Sequence, residues 1–347
     1  MTFNLLRGLM RFEDMDLSAI VLNEGRLAKE IRGLGIHVHI VDERKKSFLE
    51  ICGKVRKLMA VNTPDIIHSH RYKENILAYL VSRTRRETKL ITTQHGMQEI
   101  QRNGNSLKQS LVTKMNLLIM SRCFKKVIPV SEEMRKTFVE DLGFSRDRVI
   151  VIHNGVEVPL EMPVTAGKKF FVLGSAGRLV PIKDYPLMVE IAKEVSRETD
   201  RILFELAGEG PEMEKILRLV KRYGLEKSFL LRGFENNLSS FYSGIDLYLN
   251  TSIHEGIPMS VLEAMAHGIP VIAPKVGGLT EIIDDGVNGY LVEGRNAKDF
   301  AKRCVSLYEN DMLRKEMGSA ARKKIINEFS MEKMVREYYN LYMGHCS

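Results

Sequence analysis

Short β-branched runs alternate with helical stretches along the whole chain, the pattern of an α/β protein built on parallel sheets. In the first half they predict strands at Leu17–Leu22, Ile36–Val41, Asp65–His68, Lys89–Gln94, Val127–Val130 and Val149–Ile152. In the second half they predict strands near Phe170–Ser175, Ile202–Ala207, Phe229–Leu231, Leu247–Leu249, Val271–Ala273 and Tyr290–Val292. Their apolar character fits strands covered by helices on both faces. Between the sets, Val156 to Gly167 carries Pro159, Pro163 and Gly167 without periodicity and reads as a linker. The expected organisation is a first doubly wound domain over 1–156, a linker over 157–167 and a second domain over 168–330. A tyrosine-rich terminal helix over 331–347, with Tyr338, Tyr339 and Tyr342, is expected to return to the first domain.

The start of the chain breaks this pattern. In a doubly wound sheet of order 3-2-1-4-5-6 the first strand is central, and the turn after it carries a glycine-rich loop. Here Thr2 to Phe12 reads as a helix leading into the strand at Leu17, with no strand or glycine loop before it. A missing central strand would leave its two neighbours short of backbone partners. The expectation is that the true start lies upstream of Met1; the alternative is a rearranged first sheet.

Composition narrows the class. A length of 347 residues favours two domains, and 44% hydrophobic with 28% charged residues is globular. No apolar run approaches the roughly 18 residues that cross a bilayer, and no signal-peptide core is present. Cys52, Cys123, Cys304 and Cys346 lack zinc or redox spacing and read as reduced thiols, so the cytoplasm is the expected compartment. The formal charge of +8 suits nucleic acid, anionic lipid or a phosphorylated substrate. Without an RNP-type aromatic motif, zinc finger or compact basic stripe, nucleic acid is the weakest of these and is not expected as a partner.

The chemistry concentrates at Glu255-Gly256-Ile257-Pro258-Met259-Ser260-Val261-Leu262-Glu263. Gly256 allows close backbone approach, Pro258 suits the start of a helix, and the first-turn amides beyond it would face an anion. Glu255 could bond sugar hydroxyls, and Glu263 could accept both hydroxyls of a ribose. Taken alone, the two glutamates would fit an ordinary amphipathic helix with a solvated carboxylate at each end. Context decides against that. Gly268-Ile269-Pro270, Gly277-Gly278-Leu279-Thr280-Glu281 and Asp285-Gly286-Val287-Asn288-Gly289 follow, while Arg178 and Lys183 stand just after a predicted strand. Such a pair of cations stabilises a departing diphosphate.

Together these segments resemble glycosyltransferase family 4, retaining enzymes of GT-B fold. The resemblance also rests on Asp65-Ile66-Ile67-His68-Ser69-His70, Thr93-Gln94-His95-Gly96, Val130-Ser131-Glu132, Ile152-His153-Asn154-Gly155-Val156 and Ala207-Gly208-Glu209-Gly210-Pro211. It implies two Rossmann-like domains facing across a cleft, with the nucleotide-sugar donor held by the second. By resemblance, Arg178 and Lys183 bind the donor phosphates, Glu255 the transferred sugar and Glu263 the ribose. The segment Gly256, Ile257, Pro258, Met259 and Ser260 lines sugar and phosphate through its amides, and Gly233 and Phe234 border the base. His95 faces the reacting sugar; His68 and His70 read as structural supports.

The implied reaction is front-face transfer of a hexose-type sugar from a UDP- or GDP-sugar to a glycan or lipid-linked acceptor, as in envelope or exopolysaccharide synthesis. No cofactor or metal is expected, because Asp14-Met15-Asp16, though it mimics a metal-binding D-x-D, fits a turn better. Two basic amphipathic stretches, Phe48 to Met59 and Leu107 to Ile119, suggest that the first domain rests on an anionic membrane surface. Competing readings are a non-catalytic donor-binding subunit, prompted by the absent glycine loop, and a sugar-nucleotide epimerase, which the glutamate and cation pattern disfavours.

Overall fold

A computed structural model describes residues 1–61, 63–83, 87–96, 107–160 and 169–344. Part of the expected 157–167 linker lies outside the described residues. The chain divides into two compact units, Met1–Asn154 with Met331–Ser347, and Gly155–Ser330.

The first unit runs α1 (Thr2–Leu9), β1 (Ser18–Val21), α2 (Arg26–Gly33), β2 (His37–Ile40), α3 (Phe48–Val61), β3 (Ile66–Ser69) and α4 (Tyr72–Ser82). It continues with β4 (Lys89–Gln94), α5 (Leu107–Cys123), β5 (Lys126–Pro129) and α6 (Glu132–Lys136). All pairings are parallel, but they form separate sheets, β1-β2 and β3-β4-β5. Among the described residues β1 bonds only β2 and β3 bonds only β4, so each sheet keeps an unbonded edge. Asp14 sits in a turn, as the sequence reading has it, and its Oδ2 accepts from the Tyr339 hydroxyl at 2.7 Å.

One expectation is corrected here. Val149–Ile152 is not a regular strand. Ile150 and Ile152 donate to the carbonyls of Val127 and Pro129 at 3.1 and 3.4 Å, but Pro129 has no N–H to return a bond, and only an isolated Val127–Val149 bridge forms. The two basic helices also differ. In α3, Ile51, Val55 and Met59 are buried in the core beside Leu77 and Val81. In α5, Asn116, Ile119 and Met120 face inward instead, leaving Leu111, Met115 and Leu118 exposed at 69%, 42% and 50%.

The second unit holds β6 (Phe171–Ala176), α7 (Tyr185–Val195), β7 (Ile202–Ala207), α8 (Met213–Arg222), β8 (Phe229–Gly233), α9 (Leu238–Gly244) and β9 (Leu247–Leu249). It ends with α10 (Met259–Ala266), β10 (Val271–Pro274), α11 (Leu279–Ile282), β11 (Gly289–Val292), α12 (Ala297–Glu309) and α13 (Asp311–Glu328). Its strands form one parallel six-stranded sheet of order β11-β10-β9-β6-β7-β8. β6 is buried at every position because helices cover both faces. α7 packs against α12 on one face, and α13 packs across α10.

The last helix, α14 (Met331–Met343), belongs to the first unit and packs along α1. Its apolar side, Met331, Met334, Val335, Tyr338 and Leu341, joins Leu5, Leu9, Ile91 and Ile128 in one core. Its tyrosines add a polar strut. Tyr342 Oη lies 2.6 Å from His68 Nδ1, His68 Nε2 lies 2.8 Å from Thr93 Oγ1, and Thr93 Oγ1 lies 2.7 Å from Tyr338 Oη. Burial first, then the nearby His95, pushes the His68 imidazole down to a pKa of about 3. It therefore stays neutral, with one ring nitrogen donating and the other accepting.

Two outcomes follow from this packing. Gly318 on α13 has no room for a side chain: a Cβ there would stand 2.1 Å from the Gly268 carbonyl oxygen. Gly318→Ala is expected to cost the second unit about 1–3 kcal/mol in urea unfolding; an unchanged midpoint would contradict that packing. For His68, the folded pKa lies below the ordinary value near 6.5, so the unfolded chain binds the extra proton. The contribution is complete above pH 6.5 and is lost as pH falls from there toward 3, by up to about 1.4 kcal/mol per pH unit. His68→Gln should flatten that acid slope in thermal unfolding measured across pH.

Candidate donor site

Chain order reverses between β6 and β9, which are neighbours in the six-stranded sheet: β7 and β8 extend one way, β10 and β11 the other. Open α/β sheets bind ligands outside the strand ends at such a point. Two segments meet there, 177–184 after β6 and 250–258 after β9. Leu179 and Thr251 anchor them in the interior at 0% and 1% exposure. The Ile253 amide donates to the Ile182 carbonyl at 2.8 Å, and Thr251 Oγ1 donates to the Lys183 carbonyl at 2.9 Å.

This stitching brings Lys183 Nζ to 2.5 Å from Glu255 Oε1, which also accepts from Ser252 Oγ at 2.6 Å. The Glu255 side chain is only 12% exposed, so its charge depends on these donors. Arg178 is different. Its guanidinium is exposed, with no ion-pair partner among the described residues. The Lys183 stem passes Gly177, its Cε within 3.9 Å of where a Cβ on that glycine would lie. The two cations thus share one loop, one engaged and one open.

Close backbone contacts hold the surroundings. A Cβ on Gly208 would fall 1.9 Å from the Gly177 carbonyl oxygen, and one on Gly278 would fall 2.0 Å from that of Gly256. The Gly278 amide donates to the Glu255 carbonyl at 3.1 Å, pinning the acidic loop against the turn before α11. Glycine at 208 and at 278 is thus a matter of space: only glycine lets the chains approach so closely.

α10 begins beside this point. Pro258, extended at φ −74 and ψ 120, precedes it, and the amides of Met259 and Ser260 have no acceptor within the helix. The partial positive charge of those amides is suited to an anion. Ile257 is 3% exposed, so its side chain packs inward and only its backbone could serve a ligand. Beneath the helix, the fully buried Tyr248 hydroxyl donates to the Ala176 carbonyl at 3.1 Å, and burial pushes its pKa up to about 12.

One turn further, Glu263 Oε2 accepts from Tyr242 Oη at 2.8 Å. Burial raises the Glu263 carboxyl above the usual carboxylate range, against the pull of that bond. Tyr242 holds one carboxylate oxygen in place, so a two-hydroxyl grip on a ribose would have to share it. His267 Nδ1 lies 2.8 Å from the Glu263 carbonyl, which makes Nδ1 the protonated nitrogen and leaves Nε2 to accept from Ser239 Oγ at 3.1 Å. That histidine supports α10.

Gly233, in the left-handed region at φ 70, ends β8, and its carbonyl accepts from the Gly208 amide at 2.7 Å. Phe234 beyond it is 55% exposed. Within this unit the structure therefore gathers Lys183, Glu255, Gly256 and the start of α10, with Arg178 on the same loop as Lys183 and Gly233 reached through Gly208. His95 belongs to the first unit. It lies just past β4, exposed, with Nε2 3.3 Å from His70 Nδ1 and the two rings stacked at 5.5 Å.

Sequence reasoning missed Ser252, Tyr242, Tyr248, Asp184 and Arg295. Tyr242, Tyr248 and Arg295 are joined to the site only by contacts between elements apart in the chain, and Ser252 stands three residues before Glu255 as an ordinary loop serine. Asp184 does adjoin Lys183, yet its left-handed backbone at φ 44 has no signature in its neighbours.

The family model described as Glycosyltransferase Family 4 matches residues 1–159, and that described as Glycosyl transferases group 1 matches residues 162–324. The chain is 31% identical over 220 residues to poly(ribitol-phosphate) alpha-N-acetylglucosaminyltransferase of Staphylococcus aureus, covering 62% of this chain and 43% of that enzyme. It thus spans less than half of that relative's length. With the UDP-Gal:alpha-D-GlcNAc-diphosphoundecaprenol alpha-1,3-galactosyltransferase of Escherichia coli it shares 26% identity over 302 residues, covering 83% of this chain and 77% of the relative. The crystal structure of Anabaena HepE in complex with UDP-glucose superposes with a TM-score of 0.86 at 19% identity, covering 99% of this chain and 96% of that one. A likeness at that identity shows the fold, which is GT-B. Matched by family models in both halves, the chain belongs to glycosyltransferase family 4.

Proposed function

We propose that the chain is a retaining glycosyltransferase moving a hexose-type sugar from a UDP- or GDP-sugar to a glycan or lipid-linked acceptor of an envelope polymer. The observation that carries this reading is the Lys183–Glu255 contact at the switch point, beside the unbonded first amides of α10. A diphosphate needs cations and N–H donors in one place, and that place offers both. The names of the relatives support a UDP-linked donor and an envelope-type acceptor, since one carries UDP-Gal and a diphosphoundecaprenol-linked sugar and another poly(ribitol phosphate).

In this reading Arg178 meets the donor diphosphate, and Lys183 reaches it without leaving Glu255. Glu255 holds the transferred sugar, and Glu263 reaches the ribose through the oxygen that Tyr242 leaves open. The acceptor hydroxyl attacks the anomeric carbon from the side of the leaving group. The bond from that carbon to the diphosphate oxygen breaks, and the departing diphosphate takes the hydroxyl proton. Charge neutralisation and positioning do the catalysis, with no protein nucleophile and no metal. His95 faces the reacting sugar.

The second reading is a donor-binding module that does not transfer, favoured by the unbonded edges of β1 and β3 in the first unit. Hydrolysis of a panel of UDP- and GDP-sugars separates the two, because a binding module would hold the nucleotide without turnover. For the transferase, Glu263→Ala should weaken UDP or GDP binding about tenfold. Arg178→Ala or Lys183→Ala should lower kcat about 100-fold. Unfolding of the Lys183 variant must be followed in parallel, since it leaves a largely buried Glu255 without its cation. Wild-type rates in all three variants would sink the assignment.

The same reading places the first unit on an anionic membrane surface. Its support is α5, where exposed Leu111, Met115 and Leu118 share one side of the helix with Lys114 and Arg122. No helix among the described residues is long and apolar enough to cross a membrane. Co-sedimentation should favour vesicles containing phosphatidylglycerol over pure phosphatidylcholine at low salt, and Leu111→Ser with Leu118→Ser should abolish the preference. Equal binding to both vesicles would remove the membrane from the proposal.

A further inference from the structure

Asp184 is the one non-glycine residue with positive φ among the described residues, at φ 44 and ψ 51. An L-residue held there costs energy unless its surroundings fix it. It directly follows Lys183 and starts α7. Its carboxylate accepts a hydrogen bond from Nη2 of Arg295, which comes from the loop between β11 and α12. The same guanidinium donates to the carbonyl of Thr251 at 2.6 Å and, through Nη1, to that of Ser252 at 3.1 Å. Ser252 in turn bonds Glu255. One planar cation therefore spans the segment carrying Lys183 and the segment leading into Glu255, tying three loops at a single sheet edge.

We propose that Arg295 is a positioning residue for the donor site. It holds Asp184 in the left-handed conformation and clamps it to the 251–252 backbone, so that Lys183 and Glu255 keep their register. It also cancels a carboxylate that would otherwise stand one residue from the cation that meets the diphosphate. The fork geometry matters. A guanidinium can serve a carboxylate and two carbonyls at once, whereas the ammonium of lysine, a point charge on a flexible stem, cannot hold all three in fixed directions. The value of this role for catalysis rests on the reading of Lys183 and Glu255 as donor contacts.

The test uses the full chain with Arg295→Gln, Arg295→Lys, Asp184→Gly and the Arg295→Gln/Asp184→Gly double variant, and UDP as the probe. Glycine adopts the left-handed conformation unaided and carries no charge. Arg295→Gln is expected to weaken UDP binding about tenfold, with Arg295→Lys intermediate. Asp184→Gly should stay within about threefold of wild type, and in the double variant it should restore the part of the loss due to the strained backbone and uncancelled carboxylate, but not the part due to the lost grip on the 251–252 carbonyls. A merely structural role would not give that rescue. UDP affinity of Arg295→Gln within about twofold of wild type, or a double variant no better than Arg295→Gln alone, overturns the proposal. Amide hydrogen exchange of residues 251–256 without nucleotide gives a readout independent of donor chemistry. It should quicken in Arg295→Gln and stay quick in the double variant, because glycine at 184 cannot replace the bonds from Arg295 to the Thr251 and Ser252 carbonyls. If it does so while the wild-type chain binds no UDP or GDP, the clamp stands and the donor reading falls; if exchange is unchanged, the clamp falls.

Discussion

A carboxylate largely withdrawn from water must be matched by a cation and hydrogen-bond donors, and at the switch point of the six-stranded sheet that carboxylate is Glu255. Lys183 at 2.5 Å and Ser252 at 2.6 Å supply the match. Because Lys183 follows β6 and Glu255 follows β9, the pairing binds loops from the two halves of the sheet where its chain order reverses. Much else at this edge serves that contact. Gly278 gives the acidic loop a backbone surface to lie on, Thr251 and Ile253 tie it to the lysine segment, and Arg295 straps the outside. The result is a cluster in which the Glu255 and Asp184 carboxylates already have their partners, while Arg178 stays exposed without an ion-pair partner among the described residues.

The first unit meets a different demand. Its strands split between two sheets with unbonded edges, so backbone pairing alone holds it less firmly than the second unit. The terminal helix compensates. α14 lays an apolar face on α1 and the β4–β5 core, and its tyrosines reach His68 and Thr93 inside. A neutral imidazole between two hydroxyls suits this interior because it can donate from one nitrogen and accept at the other. An imidazolium would bring a charge into the same enclosure, which is why acid works against this part of the molecule.

Family membership gives the class of enzyme and leaves its donor and acceptor open. The matches extend over both units, yet the relative in Staphylococcus aureus is more than twice as long as the stretch aligned to it, and identity to the solved neighbours is low. GT-B folds carry many donors and acceptors on one scaffold, with the choice made by loops.

Sequence by itself determined the repeating strand–helix order, the class of fold and the segments that carry chemistry. Lys89–Gln94, Ile202–Ala207 and Leu247–Leu249 were bounded correctly because the interior of a strand covered on both faces is mostly apolar or β-branched, as in Leu90–Thr93 and Ile202–Phe204. The Glu255 to Glu263 segment was visible because its glycine, proline and carboxylates lie within a few residues of each other. What only the tertiary structure decided are relations between loops far apart in the chain. Val149–Ile152 has the composition of a strand, but its neighbour ends in a proline that cannot return the bond. The stripe of Leu111, Met115 and Leu118 has the period of a core face, and α5 turns it outward because Asn116 and Met120 occupy the inner side. Arg295 looks like any loop cation until folding sets it against Asp184 and the carbonyls of Thr251 and Ser252. Periodicity reports which face of an element is apolar; the partner that meets that face, or that charge, is settled only when the chain closes on itself.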